Sequence, residues 1–361
     1  ALIFPILRRP EVFGFVTRKR FDIALVYLQK SNFAFGKPHF GRCLLDPVAE
    51  RVTEDIESLG LKKYVVELDE NGYTVLPPDV ACPNGFRDRL LDACLDVAES
   101  RNGERPDLQM DRVYLPGHAE QFEGALGAER GDSPIGDMMQ SLVVEGEIFE
   151  EALMNPVLLA LSAYLTGYSS VLLTMACFIK GPNKTELPLH CDAMGPSPLS
   201  LISTECNLTY ALTDYTKENG CLAVVPESHK LCRQPRGEER LVAKNPYAIP
   251  VECPAGSLVC WHGNTWHGAY SRQASGLRVS LVIDFVRKHI RTAEHLTEYM
   301  PEEVLARNSA RFAVITHQAM APTIPDQSKN DQNMARAKRV LEEYNQELGF
   351  DLQKYEWSPY A

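Results

Sequence analysis

The chain has 361 residues, with 37 Lys and Arg against 48 Asp and Glu, a formal charge of −11 at pH 7. Hydrophobic residues make up 45% and charged residues 24%, the balance of a folded globular protein rather than a disordered one. An acidic surface argues against broad phosphate-backbone binding, so no nucleic-acid partner is expected.

The 10 cysteines show no CxxC pair and read as reduced, buried thiols, which points to a cytoplasmic setting. The apolar segment Ala1–Leu7 is cut short by Arg8 and Arg9. No run reaches the roughly 18 apolar residues of a membrane span, so no membrane partner is expected either. Arg8-Arg9 and Arg18-Lys19-Arg20 read as solvated basic clusters in an acidic protein.

Taken in chain order, Val48, Val52, Ile56 and Leu59 recur at helical spacing, with Gly60 as a stop. Tyr73–Leu76 before Pro77-Pro78 reads as a short strand. A second helix starts at Asn84 as cap and runs through Phe86, Leu90, Leu91, Cys94, Leu95 and Val97. Arg101–Pro134 is polar and reads as a long loop. Met138–Leu165 reads as helical, and its part Gln140–Glu151 is expected to border a pocket, with Gln140 as a polar contact.

From Ser169 the pattern changes. Ser170–Ile179, Asn207–Thr213, Cys221–Val225, Ser257–Trp261 and Leu277–Phe285 are short β-branched or aromatic runs separated by Gly, Pro and Asn turns. They imply an antiparallel sandwich or barrel. After Lys288 the chain is helical again, and Val340, Leu341, Tyr344 and Leu348 line one face of a closing helix before Gly349. The architecture is a mainly β core with flanking helices (α+β). We divide it into an extension over 1–65, a core over 66–290 and a helical extension over 291–361, the extensions being candidate homo-oligomer surfaces.

The chemistry concentrates in the β core. His190-Cys191-Asp192 puts an imidazole and a carboxylate on one face of an extended strand, with Cys191 turned away as a small buried residue. His267 closes a later strand, and Arg278 follows eleven residues on. Two histidines and a carboxylate form the facial triad of non-haem Fe(II) oxygenases, which leaves positions open for a chelating 2-oxo acid and O₂. Arg278 offers a fork for the far carboxylate of that acid. A three-ligand open site also suits catalytic zinc, and the arginine tips the reading toward iron and 2-oxoglutarate.

These motifs resemble the phytanoyl-CoA dioxygenase-like (PhyH) family of Fe(II)/2-oxoglutarate-dependent oxygenases over roughly Leu68 to Lys288. Glu70–Leu76, Leu187–Asp192, Ala211–Asp214 through Glu218–Leu222 to Pro226–His229, Gly256–His267 and Arg278 carry the likeness. The resemblance implies a double-stranded β-helix (a cupin-like jelly roll), Fe(II), 2-oxoglutarate and O₂. It also implies hydroxylation or related oxidation of an unactivated C–H of a small-molecule substrate, with 2-oxoglutarate decarboxylated to succinate. Carried over by position, His190, Asp192 and His267 bind the metal, Arg278 binds 2-oxoglutarate, and Thr209 borders the cosubstrate. The hydroxyl residue and the Asn that often follow the distal histidine are replaced here by Ala269 and Tyr270-Ser271-Arg272. Asp192 argues for oxygen transfer over halogenation. A metal-binding jelly roll without turnover and a zinc-dependent hydrolase are the alternative readings.

The remaining candidates take plainer roles. His262 competes with His267 but sits too far from Arg278, and His229 reads as structural. His39, His118, His289, His295 and His317 read as surface or core residues. Trp261 and Trp266 line either a pocket or the core. Lys180, at a strand end, reads as solvated, with contact to an acidic substrate as the alternative.

Overall fold

Strand β10 (Arg278–Val286) shows how the sequence builds the core. Its side chains alternate faces, as any strand's must. Val279, Leu281, Ile283 and Phe285 enter an apolar cluster beneath the flanking helices, and Arg278, Ser280, Val282 and Asp284 take the opposite face. Strand β5 (Glu205–Ala211) does the same, sending Cys206, Leu208 and Tyr210 to the helices and Glu205, Asn207, Thr209 and Ala211 inward. We describe residues 46–113, 132–319 and 327–357 of a computed structural model. Replacing Phe285, which is fully buried, by alanine is expected to cost about 3–5 kcal/mol. Chemical denaturation measures that loss.

The strands form two antiparallel sheets. The larger contains β1 (Tyr73–Leu76), β8 (Leu258–His262), β5, β10, β3 (Val171–Lys180) and β2 (Asp137–Met139), in the order β1-β8-β5-β10-β3-β2. The smaller runs β4 (Leu187–His190), β9 (His267–Ala269), β6 (Leu222–Val224) and β7 (Ile249–Pro250). From β3 to β10 the chain crosses between the sheets, β6 and β7 being a hairpin within the smaller one. That winding is a double-stranded β-helix, so the expected α+β jelly roll is the fold observed.

Helices cover the outer face of the larger sheet. Helix α1 (Pro47–Ser58) starts where the Asp46 side chain accepts a hydrogen bond from the Val48 backbone N–H at 3.0 Å. It buries Val48, Val52 and Ile56, as the spacing predicts. α2 (Lys62–Asn71), which the sequence reading lacked, leads through Gly72 into β1. α3 (Pro78–Ala81) and α4 (Phe86–Asn102) follow. The cap of α4 is Gly85 rather than Asn84, and both adopt a left-handed backbone, at φ 72° and 57°.

The expected helix over Met138–Leu165 divides. Asp137–Met139 pairs with β3 as an edge strand, a 3₁₀ turn covers Leu142–Val144, and α5 (Glu147–Leu153) and α6 (Pro156–Thr166) complete the segment. Ser141 at φ 61°, Gly146 at φ 150° and Pro156 each interrupt helical continuity. Gln140 is exposed, and its backbone carbonyl accepts from Arg101 of α4 at 3.0 Å.

α7 (Leu296–Tyr299), α8 (Glu302–Arg307), α9 (Ala310–Ile315) and α10 (Gln327–Leu348) close the fold. Val340, Leu341, Tyr344 and Leu348 of α10 share one core with Val48, Val52 and Ile56 of α1. Arg51 donates to the Leu348 carbonyl at 3.3 Å, tying the two helices. Among the described residues no single helix is long and apolar enough to cross a membrane. The cysteines described are free thiols, and burial pushes Cys191 and Cys221 up to about 12.

Candidate functional site

The site lies where the two sheets face each other. β4 and β9 pair so that His190 and His267 are direct cross-strand partners, and their rings lie 4.4 Å apart, centroid to centroid. Asp192 lies two residues beyond the end of β4. The backbone N–H groups of Asp192 and Ala193 both donate to the Gly263 carbonyl at 3.1 Å, which pins this segment. Asp192 Oδ1 is 3.4 Å from His190 Nε2, and Oδ2 is 3.2 Å from His267 Nε2. The three side chains bring one ligand atom each within 4.8 Å of the others, a group able to hold a metal ion.

The tautomers follow from the backbone. His190 Nδ1 lies 2.8 Å from the Pro188 carbonyl, and His267 Nδ1 lies 3.1 Å from the Thr265 carbonyl. A carbonyl only accepts, so each Nδ1 carries a hydrogen, and each Nε2 is the atom turned toward Asp192 and left to bind a metal once it is unprotonated. Burial holds His267 down at about 4, so it is neutral around pH 7. Burial works against Asp192, but the two histidines and the Asn207 amide outweigh it and keep the carboxyl ionised. His190 is opposed by burial but raised by Asp192. A metal must displace that proton, so metal affinity of the free protein is expected to weaken as pH falls through the neutral range. Equilibrium dialysis across pH checks this.

Gly268 explains how closely β4 and β9 approach. A Cβ there would overlap the Leu187 carbonyl oxygen and sit 3.2 Å from the Pro188 carbonyl carbon. Gly268→Ala is therefore expected to part the strands and lower metal affinity about 10–100-fold, like the loss of an outer-shell partner. A metal titration alongside a melting curve separates that effect from unfolding.

Arg278 begins β10 in the same barrel. It is 6% exposed, donates to the Gly220 carbonyl, and stacks its guanidinium 4.9 Å above the Tyr215 ring. Its Nε is buried with no hydrogen-bond partner, and no carboxylate of the described residues forms an ion pair with it. A buried cation with an orphaned donor suits an anionic ligand. Thr209 sits on the inner face of β5, 3% exposed, between Val259 of β8 and Val282 of β10.

Lys180 corrects the sequence reading. It is fully buried, not solvated, and its Nζ donates to the carbonyls of Pro134 and Tyr270 at 2.7 Å each. It is also the direct cross-strand partner of Arg278. Burial first, and Arg278 second, push its pKa well below the usual lysine value. The strand-end position suggested solvent, but the segment around Pro134 covers it.

The other candidates fall outside the three-residue group. His262 Nδ1 accepts from the Asn264 N–H at 3.0 Å, and its ring packs 5.3 Å from that of His229. Trp261 packs 5.1 Å from His267 inside the barrel, whereas Trp266 donates to the Arg233 carbonyl at 2.7 Å. His317 is buried with Nε2 2.7 Å from the Leu172 carbonyl, and His295 lies beside Glu298. Arg8, Arg9, Arg18, Lys19, Arg20, His39 and His118 lie outside the described residues. Glu205, Asn207 and Asp284 were not singled out by sequence. Their signal was parity: each is polar and sits on the inward face of its strand.

A double-stranded β-helix with two histidines and an aspartate gathered inside it defines a metal-binding jelly-roll protein. The chain belongs to the phytanoyl-CoA dioxygenase (PhyH) family, whose sequence profile matches residues 68–280. Uncharacterized proteins of Mycobacterium bovis and Mycobacterium tuberculosis are each 28% identical to it over 105 residues, 29% of this chain and 37% of theirs. The match thus spans little more than a third of those relatives. Among solved structures, the α-ketoglutarate-dependent epimerase SnoN from nogalamycin biosynthesis superposes with a TM-score of 0.45 at 22% identity, over 64% of this chain and 84% of SnoN. HygX from Streptomyces hygroscopicus, solved with nickel and 2-oxoglutarate, superposes at 0.49 with 14% identity, over 64% of this chain and 89% of HygX.

Proposed function

We propose that the protein is an Fe(II)- and 2-oxoglutarate-dependent oxygenase that oxidises a C–H bond of a small molecule. The observation that carries this reading is the convergence of His190, Asp192 and His267 with the buried guanidinium of Arg278, whose Nε has no partner, inside one barrel. Two neutral imidazoles and one carboxylate are the donor set of a facial Fe(II) site. Iron bound there supplies the activation of O₂ coupled to decarboxylation of 2-oxoglutarate to succinate.

The rest is the work of the chain. The carbonyls of Pro188 and Thr265 fix the histidine tautomers, and the Gly263 carbonyl fixes Asp192. Arg278 takes the distal carboxylate of the cosubstrate, and Thr209, opposite Val282 on the inner face of β5, borders the rest of it. Tyr215 packs on the guanidinium and orients its fork. The barrel walls keep bulk water from the reacting carbon. Residues 66–290 are proposed as the oxygenase core, flanked by extensions at 1–65 and 291–361 of which residues 1–45, 320–326 and 358–361 lie outside the described residues.

Anaerobic titration with Fe(II) and then 2-oxoglutarate tests the reading. A visible charge-transfer band that needs both components, followed by succinate release on admitting O₂, is expected. A protein that isolates with zinc and shows no such band with Fe(II) refutes it.

A further inference from the structure

Three consecutive cross-strand neighbours on the inner face of the larger sheet each hold an unpartnered polar atom. Trp261 of β8 pairs with Asn207 of β5, and Asn207 pairs with Asp284 of β10. Trp261 Nε1, Asn207 Nδ2 and Asp284 Oδ1 are buried, and none hydrogen-bonds to the protein. The Asn207 amide faces Asp192 and favours its ionised form. Trp261 is 5% exposed and Asn207 2%. Each such orphan costs about 1–3 kcal/mol, and natural interiors hold few.

Glu205 extends the row. It lies two residues before Asn207 on the same face, is 4% exposed, and its carboxyl makes no hydrogen bond or salt bridge among the described residues. Gly263, the residue that pins Asp192, has no side chain because one would meet the Glu205 Cβ at 2.8 Å. Asp284 is the cross-strand partner of Asn207, and Glu205 precedes Asn207 by two residues on the same face, so the two acids lie on adjacent strands. Burial and the Asp192 charge push Glu205 up to about 8. Burial likewise raises Asp284 well above the carboxylate range.

Charge is therefore segregated along the barrel. Arg278 and Lys180 sit where β10 begins, and Asp284 sits six residues on, roughly 20 Å along an extended strand. Arg287, just beyond the end of β10, is committed to the carbonyls of Ser203 at 2.8 Å and Leu165 at 3.4 Å. Among the described residues neither Glu205 nor Asp284 forms a salt bridge.

We propose that the row is the substrate subsite, and that it takes a small polar molecule bearing a protonated amine. Glu205 and Asp284 hold the ammonium, and Trp261 Nε1 and Asn207 Nδ2 donate to an oxygen of the same molecule. The assignment rests on the reading of the neighbouring metal centre given above.

The test uses matched probes on protein loaded anaerobically with Fe(II) and 2-oxoglutarate: 1,4-diaminobutane against 1,4-butanediol, and glucosamine against glucose. Binding is read by calorimetry and by perturbation of the chelate band. Each amine is expected to bind at least about tenfold tighter than its alcohol, a difference of about 1.4 kcal/mol. Glu205→Gln and Asp284→Asn are each expected to erase most of that preference while Fe(II) and 2-oxoglutarate affinities stay within about threefold. An amine that binds no better than its alcohol, including the case where neither binds, overturns the proposal whether or not the variants fold. So do folded variants that keep the full preference. If the chelate band never forms, the iron reading fails instead, and the same probes on metal-free protein still decide the subsite.

Discussion

Asp192→Ala is expected to abolish Fe(II) binding and substrate-dependent succinate formation while leaving the fold intact. Asp192 is the sole anionic member of the group, and both of its oxygens face a histidine Nε2. Without it two neutral imidazoles remain, which bind a hard divalent ion poorly. The loss should exceed the 10–100-fold seen when only an outer-shell partner is removed. The fold survives because Asp192 and Ala193 are anchored through backbone N–H groups, which alanine keeps. Metal analysis, succinate assay and a melting curve on one preparation give the answer. Full succinate formation by the variant would overturn the ligand assignment.

Arg278→Met separates the cosubstrate from the metal. Methionine keeps the apolar stem against Tyr215 and removes the buried cation. Removing one partner of a buried, hydrogen-bonded charge pair costs about 2–5 kcal/mol, roughly 30- to 4,000-fold in 2-oxoglutarate affinity. Iron affinity should hardly change, since Arg278 is not among the three clustered donors. Stability should not fall much, because the guanidinium has no carboxylate partner among the described residues and an unpaired buried charge is a burden on the free protein. Chelate-band titrations at fixed iron measure the first effect, and denaturation the second.

The β core was largely legible because alternation is a local signal. The ends of Ser170–Ile179, Asn207–Thr213 and Leu277–Phe285 each fall within one or two residues of those of an observed strand. What failed depended on neighbours distant in sequence. Asp137–Met139 is a strand only because β3 offers an edge, and Lys180 is buried only because Pro134 and Tyr270 lie over it. The site divides the same way. His190, Asp192, His267 and Arg278 stood out as residue types at telling spacings. Glu205, Asn207 and Asp284 become visible once β5 and β10 are known to lie side by side.

The β4–β9 pairing, tightened by the bare Gly268, carries a consequence for thermodynamics. Main-chain hydrogen bonds already hold the three donors together, so metal arrives as a guest on a finished scaffold and not as the nucleus around which the chain folds. Chelators should therefore strip the ion without unfolding the protein. The gain in melting temperature on adding metal should climb only with the logarithm of its concentration, as for any reversible ligand.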